Sequence, residues 1–153
     1  MAQAANKATR RRLPNLLYVQ AAVEQLPADL TDQADRITVN FPWGSLLRAV
    51  ALPDRRVLSA IARLGHHGAT LTLLVNMSVF DDAAYCAKLG LHTPPVFADA
   101  ACTRDAYEDA GLRVMRCGAD AAELPYRTTW GQRLTKGTQR RVLWLESRVE
   151  PTR

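Results

Sequence analysis

The apolar run Ile37-Thr38-Val39 ends abruptly in Asn40-Phe41-Pro42-Trp43-Gly44, and this junction constrains the fold more than any other segment. The run has the β-branched content of a buried strand. A proline cannot donate to the ladder and holds the chain extended, so Pro42 ends the strand and aims Trp43 out of the sheet's end. Open α/β sheets bind ligands at the carboxyl ends of their strands. Gly44-Ser45 then begins a helical turn, whose free amides and hydroxyl suit an anionic or polar ligand. A second tryptophan stands in Thr128-Thr129-Trp130-Gly131. Two rings at loop–helix junctions can hold one flat nucleobase between them. Taken alone, Trp43 reads equally well as a plug at the core edge, because tryptophan is mostly buried on average.

Charge supports a nucleic-acid partner. The net charge of +5 is segregated: residues 1–12 carry Lys7, Arg10, Arg11 and Arg12 without an acid, and residues 127–153 carry seven basic residues against Glu146 and Glu150. The body between them is therefore acidic. A basic surface around an acidic body points to polyanion binding, with two solvated basic tails as the bland alternative. Arg127, Arg133, Lys136 and Arg140 surround Trp130 in sequence, spaced to meet phosphates beside a stacked base.

Other classes find less support. The odd, widely spaced Cys86, Cys102 and Cys117 fit neither a disulfide framework nor a zinc motif, and read as reduced thiols in a cytoplasmic protein. No apolar run approaches membrane-spanning length, and no signal-peptide core follows the basic N-terminus. His66-His67 lies between Gly65 and Gly68, and reads as a helix-ending turn rather than a metal site.

At 153 residues the chain suits a single domain, with residues 1–12 a basic helix or tail. Short apolar runs alternate with helical patterns, the rhythm of an α/β sheet. Strands are predicted at 16–20, 36–40, 69–76, 112–117 and 142–146. A short helix is expected over Pro27–Ala34. Asp54 should cap a helix with the stripe Val57, Leu58, Ile61 and Leu64, stopped by Gly65. A further helix is expected over Asp81–Leu89, broken by Thr93-Pro94-Pro95. Thr103 should cap a helix bearing Ala106, Tyr107 and Ala110, closed by Gly111, and Thr128 one bearing Trp130 and Leu134. Trp144, within Val142-Leu143-Trp144-Leu145, is a core residue.

Five blocks then stand in order: Leu13-Pro14-Asn15, Ala21-Ala22-Val23-Glu24-Gln25-Leu26-Pro27, Phe41-Pro42-Trp43-Gly44-Ser45-Leu46-Leu47-Arg48, Thr128-Thr129-Trp130-Gly131 and Val142-Leu143-Trp144-Leu145-Glu146. Together they resemble the Kam-type 16S rRNA (adenine-N1)-methyltransferases, which confer aminoglycoside resistance at the decoding-site adenine-1408. The resemblance runs from about Lys7 to about Glu146. It implies a class I, Rossmann-like α/β sheet with an antiparallel last strand, S-adenosylmethionine as cofactor, and the 16S rRNA of the 30S subunit as partner. On this resemblance Trp43 and Trp130 hold the flipped target adenine. Ala22, Val23 and Glu24 pack on the cofactor's adenine, while Ser45 and Thr128 line the cofactor and base pockets. Asn40 takes a cofactor-side position where some relatives have an apolar residue. Arg133, Lys136 and Arg140 contact the rRNA backbone. No metal is implied.

The family's first βαβ unit, with its glycine-rich turn and ribose-binding acid, has no counterpart among the eight glycines here. The sheet is therefore expected to be incomplete relative to the family order 3-2-1-4-5-7-6, with Leu16–Gln20 two vacant positions from Arg36–Asn40. A fragment of a longer gene, a degenerate remnant and half of a split enzyme all fit this pattern. Weak or absent cofactor binding, no methylation by the chain alone, and self-association through exposed sheet edges follow as expectations. The alternatives to an enzyme are a non-catalytic RNA-binding module and a methyltransferase-like scaffold acting through protein contacts.

Overall fold

The computed structural model describes residues 15–91, 100–119 and 141–150. The basic segment 1–12, the break at Thr93-Pro94-Pro95 and the helix expected after Thr128 lie outside these residues.

Strands β1 (Ala34–Asn40), β2 (Gly65–Asn76), β3 (Leu112–Gly118) and β4 (Val142–Val149) form one sheet in the order β1-β2-β4-β3. β1 and β2 are parallel, whereas β4 runs antiparallel to both β2 and β3. Four of the five expected strands are present, and the last is reversed as the resemblance implied. Their order matches the final four places of the family sheet.

The fifth expected strand is absent. Leu16–Gln20 lies outside the sheet, and Leu17 is 76% exposed. Its apolar residues carry strand propensity, but a strand persists only where a neighbour satisfies its backbone groups. Among the described residues none pairs with it.

Helices α1 (Gly44–Ala51), α2 (Arg55–Ala62) and α4 (Ala100–Asp109) contribute to the core on one sheet face, and α3 (Ala83–Leu89) adds Cys86. The period-2 alternation of the strands sends Ile37, Leu71, Leu73, Val75, Leu112, Val114, Leu145 and Val149 to this face. Helical spacing supplies Leu47 and Val50 from α1 and Val57, Leu58 and Ile61 from α2. Tyr107 of α4 is fully buried, and its hydroxyl donates to the Val50 carbonyl at 3.2 Å, joining two helices. Burial pushes the Tyr107 phenol pKa up. The opposite face carries a smaller cluster of Phe41, Leu74, Val142 and Trp144.

Asp54 caps α2 as expected, its carboxylate accepting from the amides of Arg56 (2.9 Å) and Val57 (3.3 Å). Replacing Asp54 with alanine should cost about 1 kcal/mol, read as a lower urea midpoint at unchanged slope.

Several local expectations need correction. Pro27–Ala34 forms only a single 3-10 turn, Ala28–Leu30, because Ala34 already belongs to β1. Of the expected Asp81–Leu89 helix only Ala83–Leu89 is α3: Asp81 ends a 3-10 turn, Met77–Asp81, and Asp82 caps α3 by accepting from the Tyr85 amide. Thr103 does not cap α4 but lies buried within it, since the helix begins at Ala100. Gly111 does follow that helix, in the left-handed conformation.

His66-His67 is part of β2 and not a helix-ending turn. α2 stops at Ala62, and the register between Ala34↔Gly65 and Arg36↔Thr70 absorbs extra residues in a bulge. Gly68, at φ +87°, supplies the left-handed conformation this requires. The bulge brings His66 to the His67 carbonyl (2.8 Å) and to the Asp35 carboxylate (2.7 Å). Both acceptors favour the imidazolium and raise the His66 pKa above 6.5. Protonation thus stabilises the fold fully below the unfolded value of 6.5, and this contribution is lost as pH rises through the higher folded value. A proton NMR titration should place His66 above 6.5, and Asp35→Asn should move it down.

Candidate functional site

The site forms where β1 gives way to α1. Asn40 ends the strand, exposed, opposite Leu74 of β2. The Phe41 amide then donates to the Leu74 carbonyl at 2.8 Å while its ring enters the cluster with Leu74, Val142 and Trp144. Phe41 takes φ +51°, an uncommon conformation for a bulky side chain. The buried ring and the amide bond hold it there, and the turn sends the chain away from the sheet. Pro42 is buried behind it, and Trp43, in extended conformation, is 59% exposed.

The core-plug reading of Trp43 does not hold. Its ring meets Tyr85 of α3 edge to face, with centroids 5.3 Å apart and planes at 62°. The Tyr85 hydroxyl accepts from the Gly44 amide at 2.9 Å. This satisfies a donor that a helix start would otherwise leave unpaired. Gly44 itself has φ +58°, which only glycine adopts without strain. Ser45 follows, exposed in the first turn of α1. Sequence reading missed Tyr85. The Asp82 cap signals a helix start, but nothing in sequence spacing links positions 43 and 85.

The other candidates are distributed unevenly. Ala22 and Glu24 are exposed and Val23 is half-buried, in the 3-10 turn Val23–Gln25 and its preceding residue. That turn lies against α2, where Glu24 shares a shallow cleft with Arg55, Arg56, Ser59 and Arg63. Asn40, Trp43 and Ser45 do not line this cleft. Trp130, Thr128, Arg133, Lys136 and Arg140 lie outside the described residues. The segment bearing them ends at Arg141, whose carbonyl accepts from the Met77 amide at 2.9 Å and whose guanidinium pairs with Asp81. Both contacts fall on the 3-10 turn immediately before α3.

A family model described as NpmA, 16S rRNA (adenine(1408)-N(1))-methyltransferase, matches residues 1–149. The chain belongs to this family. An Escherichia coli 16S rRNA (adenine(1408)-N(1))-methyltransferase is 31% identical over 144 residues, which is 88% of this chain and 63% of that protein. The crystal structure of the aminoglycoside resistance methyltransferase NpmB1 superposes with a TM-score of 0.74 at 40% identity, covering 90% of this chain and 62% of that one. A variant of the enzyme from Catenulisporales acidiphilia, solved with cosubstrate S-adenosylmethionine, gives a TM-score of 0.78 at 26% identity, covering 100% of this chain and 69% of that one. The chain therefore spans about three fifths of the length of the first two relatives. These likenesses establish an α/β methyltransferase fold for the described sheet and helices.

Proposed function

We propose that this chain serves the reaction named for its family, methyl transfer to N1 of a 16S rRNA adenine, with Trp43 as one stacking face for the target base. The observation that carries this reading is Trp43 itself: a large aromatic ring, mostly exposed, at the carboxyl end of a parallel strand and braced from one side. A tryptophan in a core role would be buried, as Trp144 is.

Neutral adenine has a free lone pair at N1, so the chain need not supply a general base. Its task is positioning. Stacking on Trp43, and on Trp130 as the resemblance implies, offsets part of the cost of taking the base out of its stack. Alkylation at N1 builds positive charge on the adenine ring, and a tryptophan face favours a cation above it. On this reading Val23 would offer S-adenosylmethionine an apolar wall, and Asn40 and Ser45, at the end of β1 and in the first turn of α1, would offer polar groups from a separate part of the fold. Ala22, Glu24 and Thr128 would complete the holding residues. S-adenosylmethionine supplies the electrophilic methyl group. Arg133, Lys136 and Arg140 would neutralise rRNA phosphates, and such a partner belongs to the cytoplasm.

Radiolabelled methyl transfer to 30S subunits, with primer extension to locate the modified base, tests this reading. Incorporation at the decoding-site adenine supports it and would overturn the expectation that the chain alone does not methylate. Salt-dependent 30S binding without incorporation would instead identify a non-catalytic RNA-binding module. We also infer a tendency to self-associate, because Leu16, Leu17, Tyr18 and Val19 lie exposed and the outer edge of β1 has no partner strand among the described residues. Sedimentation velocity across a concentration series checks this, and a monomer throughout would refute it.

A further inference from the structure

We propose that Tyr85 is the positioning residue that presents Trp43 as a preformed stacking face for a planar base. The role rests on the rRNA reading above but names a residue on which that reading does not depend.

The need for such a residue lies in the backbone. Phe41 and Gly44, either side of Pro42-Trp43, both take left-handed conformations, at φ +51° and +58°. Phe41 is fixed by its buried ring, and Pro42 by its own. Gly44 has no such anchor: an added Cβ there would meet nothing within 4 Å. A glycine in open space adopts many conformations, and the direction of the neighbouring indole would vary with it. Tyr85 removes both freedoms. Its hydroxyl fixes the Gly44 amide at 2.9 Å, and its ring fixes the indole at a centroid distance of 5.3 Å.

Tyr85 can do this because it is itself held. It stands in the first turn of α3, where its own amide donates to the Asp82 carboxylate at 2.9 Å. The next residue, Cys86, is 2% exposed and anchors the helix in the core. The ring therefore projects from a fixed point onto a junction whose glycine has no side chain to anchor it. An edge-to-face contact also engages one side of the indole and leaves the rest of it exposed. Ordering the ring before the base arrives lowers the entropy lost on binding.

The test compares the full chain with Tyr85→Phe and Tyr85→Ala, using the NMR resonances of the Trp43 indole and Gly44 amide together with 30S binding. Melting temperature reports on the fold in each case. In Tyr85→Ala the Trp43 ring resonances should lose the ring-current shift of the tyrosine and the Gly44 amide should move. Affinity for 30S subunits should fall roughly 2- to 10-fold, the range for having to order one side chain on binding. Tyr85→Phe should keep the indole shift, move only the Gly44 amide, and recover part of the affinity. Unmoved Trp43 resonances in Tyr85→Ala would overturn the proposal, as would wild-type affinity in that variant. If the wild-type chain does not bind 30S subunits at all, the rRNA reading fails and takes this role with it. Binding by the wild type that Tyr85→Ala leaves unchanged overturns the role of Tyr85 alone.

Discussion

Truncating Trp144 to alanine is expected to destabilise the chain by about 3–5 kcal/mol. The side chain is 4% exposed and forms, with Phe41, Leu74 and Val142, the hydrophobic cluster found on its face of the sheet among the described residues. Gly118 of β3 lies directly beneath the indole, where a Cβ would come within 2.7 Å of the ring. The Arg116 guanidinium sits 5.7 Å from the ring centroid while pairing with Glu146. Phe41, Leu74 and Val142 would each lose an apolar neighbour, so a cavity cost adds to the lost burial. Urea denaturation followed by circular dichroism measures this, and a loss below about 1.5 kcal/mol would show that the cluster is loosely packed. The loss should also reach the site, because Phe41 shares the cluster and sets the turn that leads to Trp43.

Trp43→Ala should show the opposite pattern. With 59% of the residue exposed and one ring contact, its removal should change stability by only about 0.5 kcal/mol. Binding should suffer instead. A stacked base contributes roughly 1–3 kcal/mol, which corresponds to roughly a 5- to 150-fold loss of affinity for 30S subunits. Trp43→Phe should restore part of it, since a smaller ring still offers a π face. Competition binding at fixed salt, with melting curves on the same preparations, separates the two effects. A Trp43→Ala chain that unfolds, or one that binds as tightly as the wild type, would remove Trp43 from the site.

The pair illustrates what local pattern reveals. Trp144 was legible as core because it lies within the continuous apolar run Val142-Leu143-Trp144-Leu145. Trp43 was legible as a ring at the strand's end from Pro42, which ends the strand, and from the helical start at Gly44-Ser45. The Asp54 cap and the α2 stripe as far as Ile61 were likewise visible, because capping and helical periodicity act over a few residues. Leu64, by contrast, lies beyond the helix, and Gly65 opens β2 instead of stopping α2. Leu16–Gln20 shows the limit of such reasoning. Its composition is that of a strand, yet strand formation depends on a neighbour that composition does not name.

His66-His67 failed for a related reason. Glycines on both sides resemble a turn, but their actual use is a bulge in β2, fixed by the register against β1. Tyr85 is the most consequential omission. Forty-two positions separate it from Trp43, and the contact exists only because the 3-10 turn and α3 return over the carboxyl ends of β1 and β2.

The sequence by itself determined the family, the alternation of strand and helix, the reversed last strand and the ring at the strand's end. The family and the reversed strand follow from the resemblance of five sequence blocks; the alternation and the ring are properties of short segments, where proline geometry, capping and apolar periodicity act on neighbouring residues. Only the tertiary structure decided which strand-like segment joins the sheet, where the histidines lie and what holds Trp43 in place. Each of those depends on a partner distant in the chain, and such a partner is selected by packing and by the pairing of backbone groups across the whole fold.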